Sequence, residues 1–274
     1  MEIIRSFIIG GVQGISEFLP ISSSGHLVLI PYIFKWDYNG LSFDVALHFG
    51  TVIALVAYFW RDWMRIIKLG FGGKELEDKS TENIQYPKNL LWQIIVASVP
   101  AAIVGVLAND FIDRAFHSSS SLGMLVIAIN LALFGVILWF VDQRSKKSTK
   151  IKDITYKESI WVGLAQSLAL IPGVSRSGIT ITTSRALGLN RESAARFSFL
   201  LATPAMVGAF ILKFKDISAN DMNPVFIVGV ISSTIFSFLA IRFLLNYLKK
   251  SDFSVFVWYR IVLAISILGI YILR

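Results

Sequence analysis

Six stretches of this chain, approximately Leu41–Trp60, Leu91–Asn109, Ser120–Val141, Ser193–Leu212, Pro224–Leu244 and Ser254–Leu273, run for about twenty residues with little charge. A run of that length crosses a bilayer as a helix, because the hydrocarbon core is roughly 30 Å thick and a helix rises about 1.5 Å per residue. Inside lipid the backbone must satisfy its own hydrogen bonds, which leaves helices and closed barrels as spanning structures. Composition agrees: the chain is 55% hydrophobic with mean hydropathy +0.66 and 16% charged residues, where a soluble domain carries about a quarter charged residues. The expected class is an all-α polytopic membrane protein.

The net charge of +8 would suit nucleic acid, yet the basic residues fall in the gaps between apolar runs. The positive-inside rule produces that placement without an anionic partner, so no nucleic-acid role is expected. One gap carries Arg61, Arg65, Lys68, Lys74, Lys79 and Lys88, and another carries Arg144, Lys146, Lys147, Lys150, Lys152 and Lys157. Two spans separate these gaps, so both face the cytoplasm. With no cysteine, disulfides, thiolate metal sites and cysteine nucleophiles are excluded. Gln13, Ser16 and Glu17 interrupt the first apolar run and Pro20 follows it, so that run reads as retained rather than as a cleaved leader.

Two further apolar regions, Ile3–Phe34 and Ile160–Leu187, are each broken near the middle by proline, glycine and serine. Their halves are too short to cross, and irregular backbone at membrane depth is tolerated only against protein or water. Each reads as a re-entrant hairpin of two half-helices. Sliding the sequence by 153 positions aligns Gly10, Gln13, Ser22, Ser24 and Gly25 with Gly163, Gln166, Ser175, Ser177 and Gly178. Five identities in sixteen positions exceed the roughly one expected by chance, which marks an internal repeat. The expected organisation is repeat one over 1–141, a cytoplasmic linker over 142–157 and repeat two over 158–274. Each repeat is a hairpin followed by three spans, and an odd number of spans inverts the second copy. In inverted-repeat proteins the site lies where the broken helices meet. The first hairpin would enter from outside, the second from the cytoplasm.

The first hairpin carries Gln13-Gly-Ile-Ser-Glu17-Phe-Leu-Pro20-Ile-Ser22-Ser23-Ser24-Gly25-His26. Gln13 and Glu17 share a helical face, Pro20 ends that half-helix, and Ser22–Gly25 form a loop opening a second half-helix over Leu27–Phe34. A helix start attracts anions. The serines could equally be caps of a buried turn. Glu17 is harder to dismiss, since an ionisable group at membrane depth is costly and usually functional. With His26 it could supply general acid/base, metal-ligand and nucleophile-activating groups.

The second hairpin carries Pro172-Gly-Val-Ser175-Arg176-Ser177-Gly178. Its glycines permit an anion nest, and Arg176 offers a fork of donors matched to phosphate oxygens, unless it snorkels to the interface. Arg176 aligns with Ser23 in the repeat. Together the two Ser/Gly loops read as a site for a lipid-linked diphosphate, with an enzyme and a lipid-phosphate transporter or flippase equally compatible with the pattern.

Other residues are weaker. Asp44, His48 and Thr51 share a face of the first span, lining the same cavity or pairing privately. Arg196 and Arg260 read as snorkelling residues, His117 and Ser118–Ser121 as an exterior turn, and Trp60, Trp139 and Trp161 as interface belts.

The stretches Glu17–His26 and Pro172–Gly178 closely resemble the two signatures of the bacterial undecaprenyl-diphosphate phosphatase family, the bacitracin-resistance type, and length and segment order agree over the whole chain. The resemblance implies hydrolysis of a polyprenyl diphosphate lipid to its monophosphate, recycling the carrier for peptidoglycan synthesis in the bacterial inner membrane. It implies Ser23 as nucleophile, Glu17 and His26 as metal-binding or acid/base pair, and Arg176 as phosphate clamp. Gln13, Ser22, Ser24, Gly25, Gln166, Ser175, Ser177 and Gly178 would surround the phosphates. Ser24 stands where the family often has threonine, and Gln13 where some members have glutamate, so a Mg²⁺ or Ca²⁺ held at Glu17 would have one charge fewer around it. Hard oxygen ligands suit those ions. The cavity is expected to open outward, because Ser23 belongs to the hairpin entering from that side. Room is left for a homodimer.

Overall fold

The computed structural model describes residues 1–36, 41–73, 84–115, 121–145, 148–214 and 222–273. Lys74, Lys79, His117, Ser118, Ser119, Ser120, Lys146 and Lys147 lie outside the described residues. The helices are α1 (Glu2–Phe18), α2 (Ser23–Phe34), α3 (Leu41–Gly70), α4 (Leu90–Ala115), α5 (Ser121–Arg144), α6 (Tyr156–Gln166), α7 (Arg176–Ala186), α8 (Arg191–Lys213), α9 (Pro224–Tyr247) and α10 (Ser254–Leu273).

Among them α3, α4, α5, α8, α9 and α10 are long and apolar enough to cross a membrane, at the six places expected. Helix α3 runs ten residues past Trp60, to Gly70. Arg61, Arg65 and Lys68 therefore ride its last turns instead of lying in a loop. Arg and Lys are good helix formers, so a helix need not stop where lipid does.

The remaining helices come in two pairs. α1 and α2 have 17 and 12 residues and α6 and α7 have 11 each, or about 16 to 26 Å at 1.5 Å per residue, short of the roughly 30 Å core. Leu19, before Pro20, is extended at φ −68° and ψ 143°, as the proline ring requires of its predecessor. A 3₁₀ turn over Ser167–Leu170 precedes the second break. The second helix of the first pair starts at Ser23, earlier than the expected Leu27, and that of the second pair at Arg176, so these two residues occupy first turns.

Small residues bring the broken pairs against the spans. A β-carbon on Gly10 would lie 2.6 Å from the Gly229 carbonyl, and one on Gly14 would lie 2.6 Å from the Ser233 carbonyl, so α1 and α9 touch backbone to backbone. Gly163 of α6 abuts the Ala97 carbonyl of α4 in the same way. The Ser232 hydroxyl donates to the Phe7 carbonyl at 2.6 Å and that of Ser233 to the Leu47 carbonyl at 2.8 Å. Phe18 and Phe199 meet edge to face in the largest core cluster. Ile227, Ile231, Leu239, Phe243 and Val262 are exposed, as apolar side chains are on a lipid-facing surface.

Charges are paired where α5, α7 and α8 end or begin. Asp142, 1% exposed, receives Arg185 at 2.8 Å and Arg191 at 2.9 Å. Arg196 corrects an expectation: it does not snorkel. It is 6% exposed and turns inward, 3.3 Å from both Asp62 and the Tyr86 hydroxyl. Burial pushes the Tyr86 hydroxyl above the ordinary tyrosine range, so it stays protonated and donates to Asp62 at 2.7 Å.

Candidate active site

Glu17 ends α1 beside the first break, and its carboxylate collects groups from both halves of the chain. Oε1 accepts from the Arg176 guanidinium of α7 at 3.0 Å. Oε2 accepts from the Ser23 hydroxyl of α2 at 3.0 Å and from Gln13 Nε2 at 3.1 Å. Gln13 Nε2 also lies 3.0 Å from His48 Nδ1 on α3. Glu17 and Arg176 are 11% and 13% exposed at their side chains. Ser23 and Arg176, 153 positions apart in the sequence, thus meet on one carboxylate.

The loops touch elsewhere too. Ser24 Oγ accepts from the Gly173 N–H at 3.1 Å, and the Ser177 hydroxyl donates to the Leu19 carbonyl at 3.1 Å. Ser22 and Ser175 sit just before α2 and α7 with φ of 70° and 74°, a region sparsely populated by residues other than glycine and costing about 1–3 kcal/mol each. Positive φ therefore falls on the two serines and on Gly173 (88°), not on Gly25 or Gly178. Ser175 Oγ caps α7 by accepting from the Gly178 N–H at 3.1 Å and meets Ser177 Oγ at 3.2 Å, while Ser22 Oγ lies 2.9 Å from Ser24 Oγ. Gly25 is buried where a β-carbon would press on Leu131 and Leu263 at 3.1 Å each.

Arg260 corrects the second snorkelling expectation. It is 0% exposed and donates to the carbonyls of Leu131, Pro20, Asn130, Gly173 and Val174 at 3.0 to 3.4 Å. Pro20 and Gly173 are themselves 153 positions apart, so one guanidinium fastens equivalent carbonyls of both loops. The signal was available: Arg260 is the seventh residue of α10, well away from either end.

His26 is 6% exposed, and both its nitrogens are engaged. Nδ1 is 2.8 Å from the Ser22 carbonyl, which can only accept, so Nδ1 carries the proton and the neutral ring accepts from the Tyr259 hydroxyl at Nε2, 2.6 Å away. Neither nitrogen bonds Ser23. Tyr259 and Met206, whose sulfur receives Arg176 at 3.2 Å, were not singled out by sequence reasoning.

Of the face shared by Asp44, His48 and Thr51, His48 reaches the cluster through Gln13, whereas the buried Thr51 hydroxyl donates to the His48 carbonyl at 2.6 Å. Gln166 is 3% exposed with neither amide atom hydrogen-bonded, and shares no hydrogen bond with Glu17. Two buried atoms beside Glu17 also lack partners: Arg176 NH1, a donor, and Gln13 Oε1, an acceptor. No cluster of three His, Cys, Asp or Glu occurs among the described residues. A divalent cation would instead draw on Glu17, the orphaned Gln13 oxygen and phosphate oxygens, a donor set that fits Mg²⁺ or Ca²⁺.

The model of the bacitracin resistance protein BacA family matches residues 6–266. An undecaprenyl-diphosphatase of Moorella thermoacetica is 44% identical over 274 residues, covering 100% of both chains. One from Pelotomaculum thermopropionicum is 43% identical over 268 residues, covering 98% of this chain and 96% of that protein, and one from Geotalea daltonii is 45% identical over 267 residues and 95% of each. With signature loops that meet at Glu17 and a match from end to end, this chain belongs to the bacitracin resistance protein BacA family.

Proposed function

We propose that the chain is an undecaprenyl-diphosphatase of the bacterial inner membrane, hydrolysing undecaprenyl diphosphate to undecaprenyl phosphate and inorganic phosphate and so recycling the carrier lipid for peptidoglycan synthesis. The observation that carries this is the sharing of one carboxylate by Ser23 and Arg176, each 3.0 Å from a Glu17 oxygen. A serine is a weak nucleophile unless a base takes its proton, and Glu17 Oε2 is in hydrogen-bond reach to do so.

In the reaction, Ser23 Oγ bonds to the terminal phosphorus as its proton passes to Glu17. The bond from that phosphorus to the bridging oxygen breaks, and undecaprenyl phosphate leaves. Water then attacks the phosphoserine with Glu17 as acid/base partner, returning the proton to Ser23 and releasing inorganic phosphate. His26, committed to Ser22 and Tyr259, positions the strained start of α2 rather than moving this proton. Arg176 NH1 takes a phosphoryl oxygen, and the N–H groups opening α2 and α7 add donors, which is the electrostatic help phosphoryl transfer needs. Gln13, Ser22, Ser24, Gly25, Ser175, Ser177 and Gly178 shape the surroundings. A bound Mg²⁺ or Ca²⁺ at Glu17 and Gln13 would neutralise charge on the phosphates.

In this reading α1–α2 and α6–α7 are re-entrant hairpins, and 1–141 and 158–274 are inverted repeats joined by 142–157. Equivalent partnerships across the offset support it: Gly10 on α9 and Gly163 on α4, Ser22 and Ser175 at positive φ, Pro20 and Gly173 on Arg260. The cavity opens to the outer side, since Ser23 belongs to the hairpin entering there. Protein purified in detergent releases phosphate from a prenyl diphosphate, and Ser23→Ala, with unchanged thermal unfolding, releases essentially none. A pure carrier would release none in either form, and substantial activity in Ser23→Ala would remove the serine as nucleophile.

A further inference from the structure

We infer that His48, which lies outside both signature stretches, is a substrate-contacting residue that donates its Nε2–H to an oxygen of the phosphate remaining on the lipid. The inference rests on the diphosphatase reading above.

Its tautomer follows from its neighbours. The Glu17 carboxylate can only accept, so the Gln13 atom 3.1 Å from it is the amide nitrogen. That nitrogen has a second hydrogen, and His48 Nδ1, 3.0 Å away, must receive it. A neutral imidazole accepting at Nδ1 carries its proton at Nε2, on the far side of the ring from the cluster. A relay of fixed polarity results: Gln13 donates to both His48 and Glu17, and Ser23 and Arg176 donate to Glu17.

The exposed ring sits on the face of α3 that packs against protein, not on the face that carries its exposed apolar side chains. At about 100° per residue, Thr51, Val52 and Leu55 lie within about 60° of His48 around the α3 axis, and they are 0%, 8% and 0% exposed. The exposed Ile53, Val56 and Trp60 centre about 110° away. His48 is thus 48% exposed at its side chain on a face where Thr51, Val52 and Leu55 are buried and Asp44, one turn earlier, is half-buried. Nδ1 lies 4.0 Å from Glu17 Oε2, the same oxygen that accepts from Ser23, and Gln13 bridges His48 and Glu17. A terminal phosphate held by Ser23 and Arg176 leaves the next phosphate along the diphosphate as the group within reach of Nε2–H.

Asparagine and glutamine separate the two ring nitrogens, because Asn can place an acceptor near Nδ1 and Gln can place a donor near Nε2. Purified wild type, His48→Asn and His48→Gln are compared for prenyl diphosphate hydrolysis in detergent, with thermal unfolding as a folding control. His48→Asn should lose roughly tenfold to a hundredfold in kcat/KM, the range for a hydrogen bond to a charged group, whereas His48→Gln stays within about threefold of wild type. Inhibition by prenyl monophosphate should weaken in His48→Asn while inhibition by inorganic phosphate does not change. Wild-type activity in His48→Asn, or equal loss in both variants, overturns the inference. If the wild type itself releases no phosphate, the diphosphatase reading fails instead, and the affinity of the variants for a methylene-bridged prenyl diphosphonate then decides whether His48 contacts the ligand: unchanged affinity in His48→Asn overturns it.

Discussion

Arg176 shows how much one side chain can carry when a rigid fork is required. Its NH2 is held by Glu17 and Met206 and its NH1 is buried without a partner. Arg176→Lys keeps the charge but cannot hold the carboxylate and an incoming phosphoryl oxygen at fixed angles. We expect kcat/KM to fall about a hundredfold or more, with little change in thermal unfolding, measured by phosphate release. Glu17 and Arg176 were legible in the sequence as charges beside broken apolar helices, whereas Ser23 stood out from its serine loop by its alignment with Arg176 and by the family resemblance. The engagement of His26 was not legible, since one partner, Tyr259, lies 233 positions away. His48 could be placed on a face by its spacing, but which way its ring was bonded depended on an amide of another helix.

At the scale of helices, hydropathy located all six spans because lipid imposes a length on them. It could not give the end of α3, where lipid no longer selects residues and the helix continues on intrinsic propensity. The contact of α1 with α9 depends on missing side chains. Gly14→Leu would drive a side chain into the Ser233 carbonyl, 2.6 Å from the β-carbon position. Overpacking of this kind costs roughly 1–3 kcal/mol or more. Because α1 also carries Glu17, the variant should unfold at lower temperature and lose activity together, whereas Gly105→Ala on α4, where a β-carbon meets nothing within 4 Å, should change neither. Gly10 and Gly163, which coincide at an offset of 153 positions, were readable as a pattern, but their partners on α9 and α4 were not, since close approach leaves no periodic mark on the partner helix.

Across the whole molecule, the deeply buried charges among the described residues are held either by opposite charges or by main-chain oxygens. Asp142 is 1% exposed and serves two arginines from the following segments. Asp142→Asn would leave Arg185, 5% exposed at its side chain, without a counter-charge, and stripping a buried pair of one member costs about 3–5 kcal/mol. The expected result is a clear drop in the detergent unfolding midpoint with the Ser23–Glu17 geometry, and hence the activity of the folded fraction, preserved. The general rule that arginines near span ends reach for the interface misplaced both Arg196 and Arg260, because it takes no account of carbonyls and carboxylates contributed by other helices. Arg260 also bears on how such a molecule can move. Moving the segments around Pro20, Asn130 and Gly173 apart would prise a dehydrated cation from main-chain oxygens that each contributes. A frame riveted at its centre favours turnover by lipids sliding in and out between helices that stay where they are.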